Sequence, residues 1–500
     1  MSEHFDVLIV GAGLSGIGAA WHLRDKCPDK TFAILEGRDA IGGTWDLFRY
    51  PGIRSDSDMY TLGYNFKPWT DTKIIADGPA IRGYVKDTAA EAGIDKKVRF
   101  GHKVVSAEWS SETATWTLAV LNKATGQTAS MRCNFLMMCS GYYNYEQGFT
   151  PDFKGRDDYK GQFIHPQFWP ENLDYANKSV VVIGSGATAV TLVPSMTGKA
   201  KHVTMLQRSP SYVITVPQRD KMAEVLRKVL PDMWVYRIGR ARNIMLTAAM
   251  FRLSRSYPNA IRKMLQAQVK AQVGKGYDMT HFTPSYKPWD QRLCAVPNGD
   301  FFRVLRQGKA SVVTDHIDCL TATGVRLKSG KELQADIIVS ATGLNLQMFG
   351  GMTLIVDGQS VDMSDKLNYK GLMFSDLPNL TMTMGYTNAS WTLKADLIAE
   401  YVCRLLKHMD ETGTRICTPR QNDPTVKAEG FLDMTSGYVQ RALDVLPKSG
   451  NKAPWKLFQN YTLDMNLLRR GKLDDGVLAF TSPSKVAHTG QPAQQQRYAS

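Results

Sequence analysis

Gly11, Gly13 and Gly16 stand in the order G-x-G-x-x-G, and Glu36 follows twenty residues after the third glycine. Glycines so spaced serve a dinucleotide. The first permits a tight turn, the second lets the backbone approach a pyrophosphate, and the third lets a helix pack closely on a strand. Amides at the helix N-terminus then hold the negative charge. A carboxylate at position 36 suits ribose hydroxyls and repels a 2′-phosphate. Farther along, Ile183, Gly184, Ser185, Gly186, Ala187, Thr188 and Ala189 repeat the turn as G-x-G-x-x-A. Where the first copy has its acid, this one has Gln207 and Arg208. A guanidinium in place of a carboxylate is what a 2′-phosphate requires, so the second site is expected to take NADPH.

Each turn needs a strand before it and a helix after it. "FDVLIVGAGLSGIGAAWHL" and "KSVVVIGSGATAVTLV" both read that way, and Glu36 closes the next apolar strand, "TFAILEG". The expected fold class is α/β, with two Rossmann-like dinucleotide-binding domains, for FAD and NADP, and a helical insertion. Two apolar runs ending in Ser/Thr-Gly, at 134–144 and 335–345, look like crossings between the domains. The expected order is FAD domain 1–140, NADP domain 141–215, helical insertion 216–288, NADP domain 289–335 and FAD domain 336–482. A disordered tail is expected at 483–500. With 500 residues, two or three cores are needed.

Bulk properties narrow the class. The seven cysteines form no C-x-x-C or C-x-x-x-x-C pair, which argues against a disulfide reductase and suits reduced thiols in a cytoplasm. No metal-ligand spacing is visible, and no metal is expected. The start "MSEHFDVLIVGAG" runs straight into a strand, so no signal peptide is expected, and no apolar run is long enough to span a bilayer. The net charge of +14 is uneven, with thirteen Lys/Arg against three acids between Arg219 and Lys275. That segment allows peripheral contact with a membrane surface; nucleic acid is not an expected partner, because such a partner would leave two dinucleotide turns unexplained.

The stretch "GGTWDLFRYPGIRSD" (42–56) places Trp, Phe, Tyr, two Arg and two Asp in a loop just after the first turn. Ordinary loops favour small polar residues, so this one is expected to touch something large and flat. Gly42, Gly43, Trp45, Tyr50, Pro51, Gly52 and Asp56 fill every fixed position of the long motif of the class B flavoprotein monooxygenases, specifically the Baeyer–Villiger group. The group's second fingerprint resembles "YKGQFIHPQFWP", with Gly161, His165, Trp169 and Pro170 in place and Tyr159 standing for Phe.

That resemblance implies FAD and NADPH as cofactors, O2 as co-substrate, and Baeyer–Villiger oxidation of ketones to esters or lactones through a peroxyflavin. It also implies oxygenation of sulfur in sulfides or thioamides. An N/S-oxygenase without Baeyer–Villiger activity, and an NADPH oxidase or reductase, are the alternatives. By the same resemblance Ser15, Thr44, Trp45, Asp46, Leu47 and Val104 lie along FAD, and Arg54, Ser55 and Asp56 lie where flavin meets nicotinamide. Arg292 matches the arginine over the reactive face of the flavin, with Asp56 holding it by a hydrogen bond. Gln291 stands where many relatives have Lys. His165 is expected to orient or link, and Trp391 to line the substrate pocket or fill the core.

Overall fold

A computed structural model describes residues 3–432 and 434–483. The expected disordered tail therefore lies, apart from Pro483, outside the described residues. The first strand, Glu3–Val10, ends in four consecutive apolar residues. Val7 and Ile9 face one core, Leu8 and Val10 the other. A strand covered on both faces carries such an unbroken run, because alternate side chains point to opposite sides. It pairs in parallel with Phe32–Leu35 on one edge and Thr128–Met138 on the other. Antiparallel strands His102–Ser110 and Thr115–Asn122 extend the sheet, which counts nine strands among the described residues. Helices Leu14–Lys26 and Trp391–Thr412 pack against each other over the Val7/Ile9 face.

The second sheet has five parallel strands, in the spatial order 310–314, 202–207, 179–183, 337–340 and 162–164. Val180 and Val182 face one core while Val181 and Ile183 face another, repeating the alternation of the first sheet. Ile337–Ser340 pairs with Ser179–Ile183 and with Gln162–Ile164, both in parallel. The expected change of domain at 336 thus comes too early: this strand completes the second sheet before the chain leaves. The two crossings run side by side, with Tyr143–Gly148 paired antiparallel to Leu344–Leu346.

Between strands Val213–Val216 and Cys294–Pro297, which pair with each other, the chain makes three helices: Lys221–Leu226, Asp232–Ser256 and Pro258–Val273. Arg240 ties the longest of them to the first domain. It is buried and donates to the carbonyls of Tyr60 and Gly63, both at 2.8 Å, and to Asp396 at 3.3 Å. Among the described residues no helix is long and apolar enough to cross a membrane.

Candidate functional site

The first turn is shaped by what a side chain would strike. Gly11 has φ +105°, and a Cβ there would lie 2.6 Å from the Cys139 carbonyl oxygen. At Gly16 a Cβ would come within 1.8 Å of the Gly11 oxygen, so helix and strand touch backbone to backbone. Glu36 closes the turn, its carboxylate accepting from the Ala12 amide at 2.7 Å and the Arg38 amide at 2.9 Å. Burial raises its pKa against the pull of those amides and of Arg38.

The aromatic loop begins at Gly42 and Gly43, with φ of +139° and +55°. Thr44–Leu47 form one helical turn that sends its side chains different ways. Thr44 and Trp45 face the cavity beside the first turn. Asp46 does not. Its carboxylate is a buried hub for Arg38, Arg49 and Arg82, at 2.7, 2.8 and 3.2 Å. Burial pushes its pKa up, and the arginines outweigh that and hold it below the ordinary value. Leu47 turns into the core with Phe48 and Tyr50. Asp46 and Leu47, expected along the cofactor, thus send their side chains to an arginine cluster and to the core. At Gly52 a Cβ would stand 1.8 Å from Ser195 Oγ, which brings the loop against helix Ala187–Met196 of the second domain. Arg54 completes the bridge through both its Nη atoms to Asp300, at 2.5 and 3.4 Å.

At the second turn Gly184 has φ +137°, and a Cβ would lie 2.3 Å from the Ala341 carbonyl oxygen. Gly186 differs. Nothing lies within 4 Å of where its Cβ would be, so the space over that amide is open. Ser185 fastens the turn, its hydroxyl 3.0 Å from the Ser209 carbonyl oxygen and 2.8 Å from Ser211 Oγ. Ile183 and Ala189 are buried packing residues. Gln207, expected at the coenzyme, is 1% exposed, and its amide nitrogen donates to the His281 carbonyl and to Thr314 Oγ1, both at 2.8 Å. Arg208, next in the chain, is exposed.

Two cavities meet at this junction. The first, about 480 Å³, runs from Gly11, Gly13 and Ser15 past Glu36, Thr44, Trp45 and Val104 to Arg54, Ser55 and Asp56, and reaches Ala187 and Thr188. The second, about 800 Å³, lies between the helical insertion and the segments 387–393 and 458–462. Asp56, Ser57 and Arg292 belong to both walls. Arg292 is exposed to the space of the two cavities, and its Nε donates to the Thr387 carbonyl at 3.3 Å. Burial works against its charge, but Tyr142, Tyr143, Tyr438 and Asp56 together hold its pKa above the ordinary value. Asp56 is raised by burial, with Arg292 and Arg54 pulling the other way. The two side chains attract through space; among the described residues no hydrogen bond joins them, contrary to the expected anchor.

Several residues at the site escaped the sequence reading. Tyr142 and Tyr143 follow the first crossing, with hydroxyls 3.2 Å apart. Tyr145 places its hydroxyl 3.2 Å from Thr44 Oγ1. The pair of tyrosines directly after a strand end, in "CSGYYNY", was the available signal. Trp391 donates its indole N–H to Ser15 Oγ at 2.7 Å and stacks on Tyr142 at 5.3 Å, so it belongs to the first cavity and not the second. His165 accepts from the Gln167 amide through Nδ1 at 3.2 Å and lies 3.1 Å from the Gly343 carbonyl through Nε2. Those contacts fix a neutral ring bridging the second crossing. All seven cysteines are buried. Among the described residues no group of three or more His, Cys, Asp or Glu side chains gathers as a metal site requires.

The flavin-binding monooxygenase-like family matches residues 71–412, and an NAD(P)-binding Rossmann-like domain matches residues 9–69. The chain belongs to the flavin-binding monooxygenase-like family. It is 55% identical over 482 residues to the FAD-containing monooxygenase EthA of Mycobacterium tuberculosis, covering 96% of this chain and 98% of that one. Among solved structures, a steroid monooxygenase bound to NADP aligns with TM-score 0.72 at 20% identity, over 96% of this chain and 100% of its own. OTEMO in complex with FAD and NADP aligns with TM-score 0.69 at 20% identity, over 84% and 88%. At that identity these two neighbours establish the shared fold.

Proposed function

We propose that this chain is an FAD-containing, NADPH-dependent monooxygenase that converts ketones to esters or lactones by Baeyer–Villiger oxidation. It also oxygenates sulfur in sulfides or thioamides. The observation that carries this reading is the shared wall: Arg292 and Asp56 line both the cavity at the first glycine turn and a larger one suited to a small molecule.

The residues fit both cofactors. Gly13 and Gly43 approach each other with only backbone between them, a Cβ on Gly13 standing 3.4 Å from Gly43, beside the hydroxyls of Ser15 and Thr44. The open space over Gly186 suits the second pyrophosphate, and exposed Arg208 suits a 2′-phosphate. When bound, FAD supplies the oxygen-transfer chemistry and NADPH the hydride.

The chain's own groups do the rest. With FAD bound, Arg292 would be a cation at the junction of the cavities, able to stabilise negative charge developing on oxygen. Its Thr387 contact and the surrounding tyrosines set its position and keep it charged. Trp391, bonded to Ser15 and stacked on Tyr142, closes the cavity with aromatic surface. Keeping water out protects a reactive oxygen donor from wasteful decay. The test is the absorption spectrum of the purified protein, followed by product analysis with NADPH, O2 and a panel of ketones and sulfides. A flavin spectrum with ester or lactone products supports the reading. Sulfoxides alone would restrict it to S-oxygenation, and NADPH consumption without oxygenated product would make the enzyme an oxidase.

A further inference from the structure

Ten of the fifteen large apolar side chains exposed among the described residues fall between Met222 and Met264, inside the helical insertion. Scattered singly they would need no explanation; gathered on one element they do. On helix Asp232–Ser256 the inward face carries Val235, Tyr236, Gly239 and Arg240. Trp234, Ile238 and Met245, at 59, 39 and 65% exposure, fall on the opposite side at helical spacing, with Ala241 and Ala249 filling the stripe between and beyond them. This helix is apolar on its solvent side.

Charge surrounds the stripe. Arg237, Arg252, Lys221, Lys228 and Lys263 are exposed. Of the three acids of the segment, Asp220 is buried against Arg242 at 2.5 Å, Asp232 is paired with Arg227 at 3.5 Å, and Glu224 is half-buried with its Oε1 out of solvent. An outward apolar stripe with Trp, rimmed by cations, is the pattern of a helix lying in the plane of a lipid interface. The larger cavity opens at the same place: Met222 and Leu246, 42 and 61% exposed, also line that cavity, as do Lys221 and Arg252.

We propose that the face formed by Lys221–Leu226 and Asp232–Ser256 docks on an anionic lipid surface, with the mouth of the larger cavity turned toward the lipid. The occupant is lipid because the rim is cationic, two of the segment's three acids are paired internally, and the third, Glu224, is half-buried. A second copy of the chain would bring the same cations against themselves.

The holoenzyme should float with vesicles of mixed phosphatidylglycerol and phosphatidylcholine, bind those of phosphatidylcholine alone more weakly, and show blue-shifted tryptophan emission on binding. The double variant Trp234→Asp, Met245→Asp should lose bound fraction by about tenfold or more. Both residues point outward and neither lines either of the two cavities described above, so flavin content and thermal midpoint check that the variant is folded. Ile238→Asp alone should weaken binding in the same direction. Holoenzyme that stays unbound with the anionic vesicles, or a folded double variant that floats as well as the parent, would overturn the proposal. So would sedimentation showing that the parent self-associates through this face, the variant does not, and neither binds vesicles.

Discussion

Asp56 and Arg292 face each other where the two cavities join, opposite in charge and without a hydrogen bond between them; the guanidinium is instead positioned by the Thr387 carbonyl, 3.3 Å from its Nε. The contact to Thr387 fixes Arg292 from the C-terminal segment, while Asp56 contributes field. That division makes their variants distinguishable.

Asp56 carries a pH prediction. Burial raises its pKa above the ordinary 3.8, so the folded protein holds this proton more tightly than the unfolded chain. The stability linked to it is full below pH 3.8 and is lost as pH rises through the folded value. At pH 7 the ionised group is therefore a net cost to folding. Asp56→Asn should raise the thermal midpoint at pH 7, by on the order of 1 °C or more, and the gain should shrink toward pH 4. Thermal melts across that range are the check. A lower midpoint at pH 7 would mean that attraction to Arg292 and Arg54 outweighs desolvation.

The two glycines of the second turn should separate folding from binding. Gly184→Ala puts a methyl group 2.3 Å from the Ala341 oxygen at φ +137°, so the strand end must shift. A loss of roughly 1–3 kcal/mol is expected, read as a lower thermal midpoint. Gly186→Ala meets nothing within 4 Å, so fold and flavin content should stay unchanged. Its methyl group occupies the approach to the pyrophosphate, and KM should rise about tenfold or more for NADPH and NADH alike. Unchanged KM for both would remove the coenzyme from this turn.

Arg208→Ala should instead split the coenzymes. Losing one charge-assisted contact is worth roughly 1.5–3 kcal/mol, about 10- to 150-fold in KM for NADPH, with much less effect for NADH. Steady-state kinetics with both coenzymes decide it, and equal effects would move the 2′-phosphate away from this side chain.

Both glycine turns and their parallel strands were legible because each depends on neighbours in the chain: apolar run, glycine spacing, helix start. Ser15, Thr44, Trp45 and Val104, which the family resemblance put beside the flavin, line the first cavity. The side-chain partners of Asp46 and Gln207 were not legible. Asp46 is claimed by Arg38, Arg49 and Arg82, and Gln207 by His281 and Thr314, partners 74 and 107 residues away. For Gln207 nothing local marks the side chain as already spoken for, whereas Arg49 stands only three residues from Asp46. The early boundary at 336 has a similar origin, because strand Ile337–Ser340 could have closed either sheet, and only its pairing with Ser179–Ile183 decides.

Arg292→Ala tests the proposed chemistry most directly. The arginine touches neither glycine turn, and Glu36, Ser15 and the 42–45 loop remain, so flavin content should match the parent. Coenzyme oxidation should also persist, because the turn at Gly184–Gly186 is intact. What is lost is a fixed positive charge beside the reacting oxygen, and removal of one such preorganised donor costs about 10²- to 10³-fold. Product formation should fall by that factor while hydrogen peroxide release accounts for the NADPH consumed. Arg292→Lys keeps the charge but not the planar fork that reaches Thr387, so it should recover only part of the yield. Asp56→Ala should resemble Arg292→Ala more mildly, since the Thr387 contact still positions the guanidinium. Product yield per NADPH, measured beside peroxide yield, separates these outcomes from a structural role, under which flavin content and thermal midpoint would fall together. Full product yield from a folded, flavin-loaded Arg292→Ala enzyme would overturn the assignment.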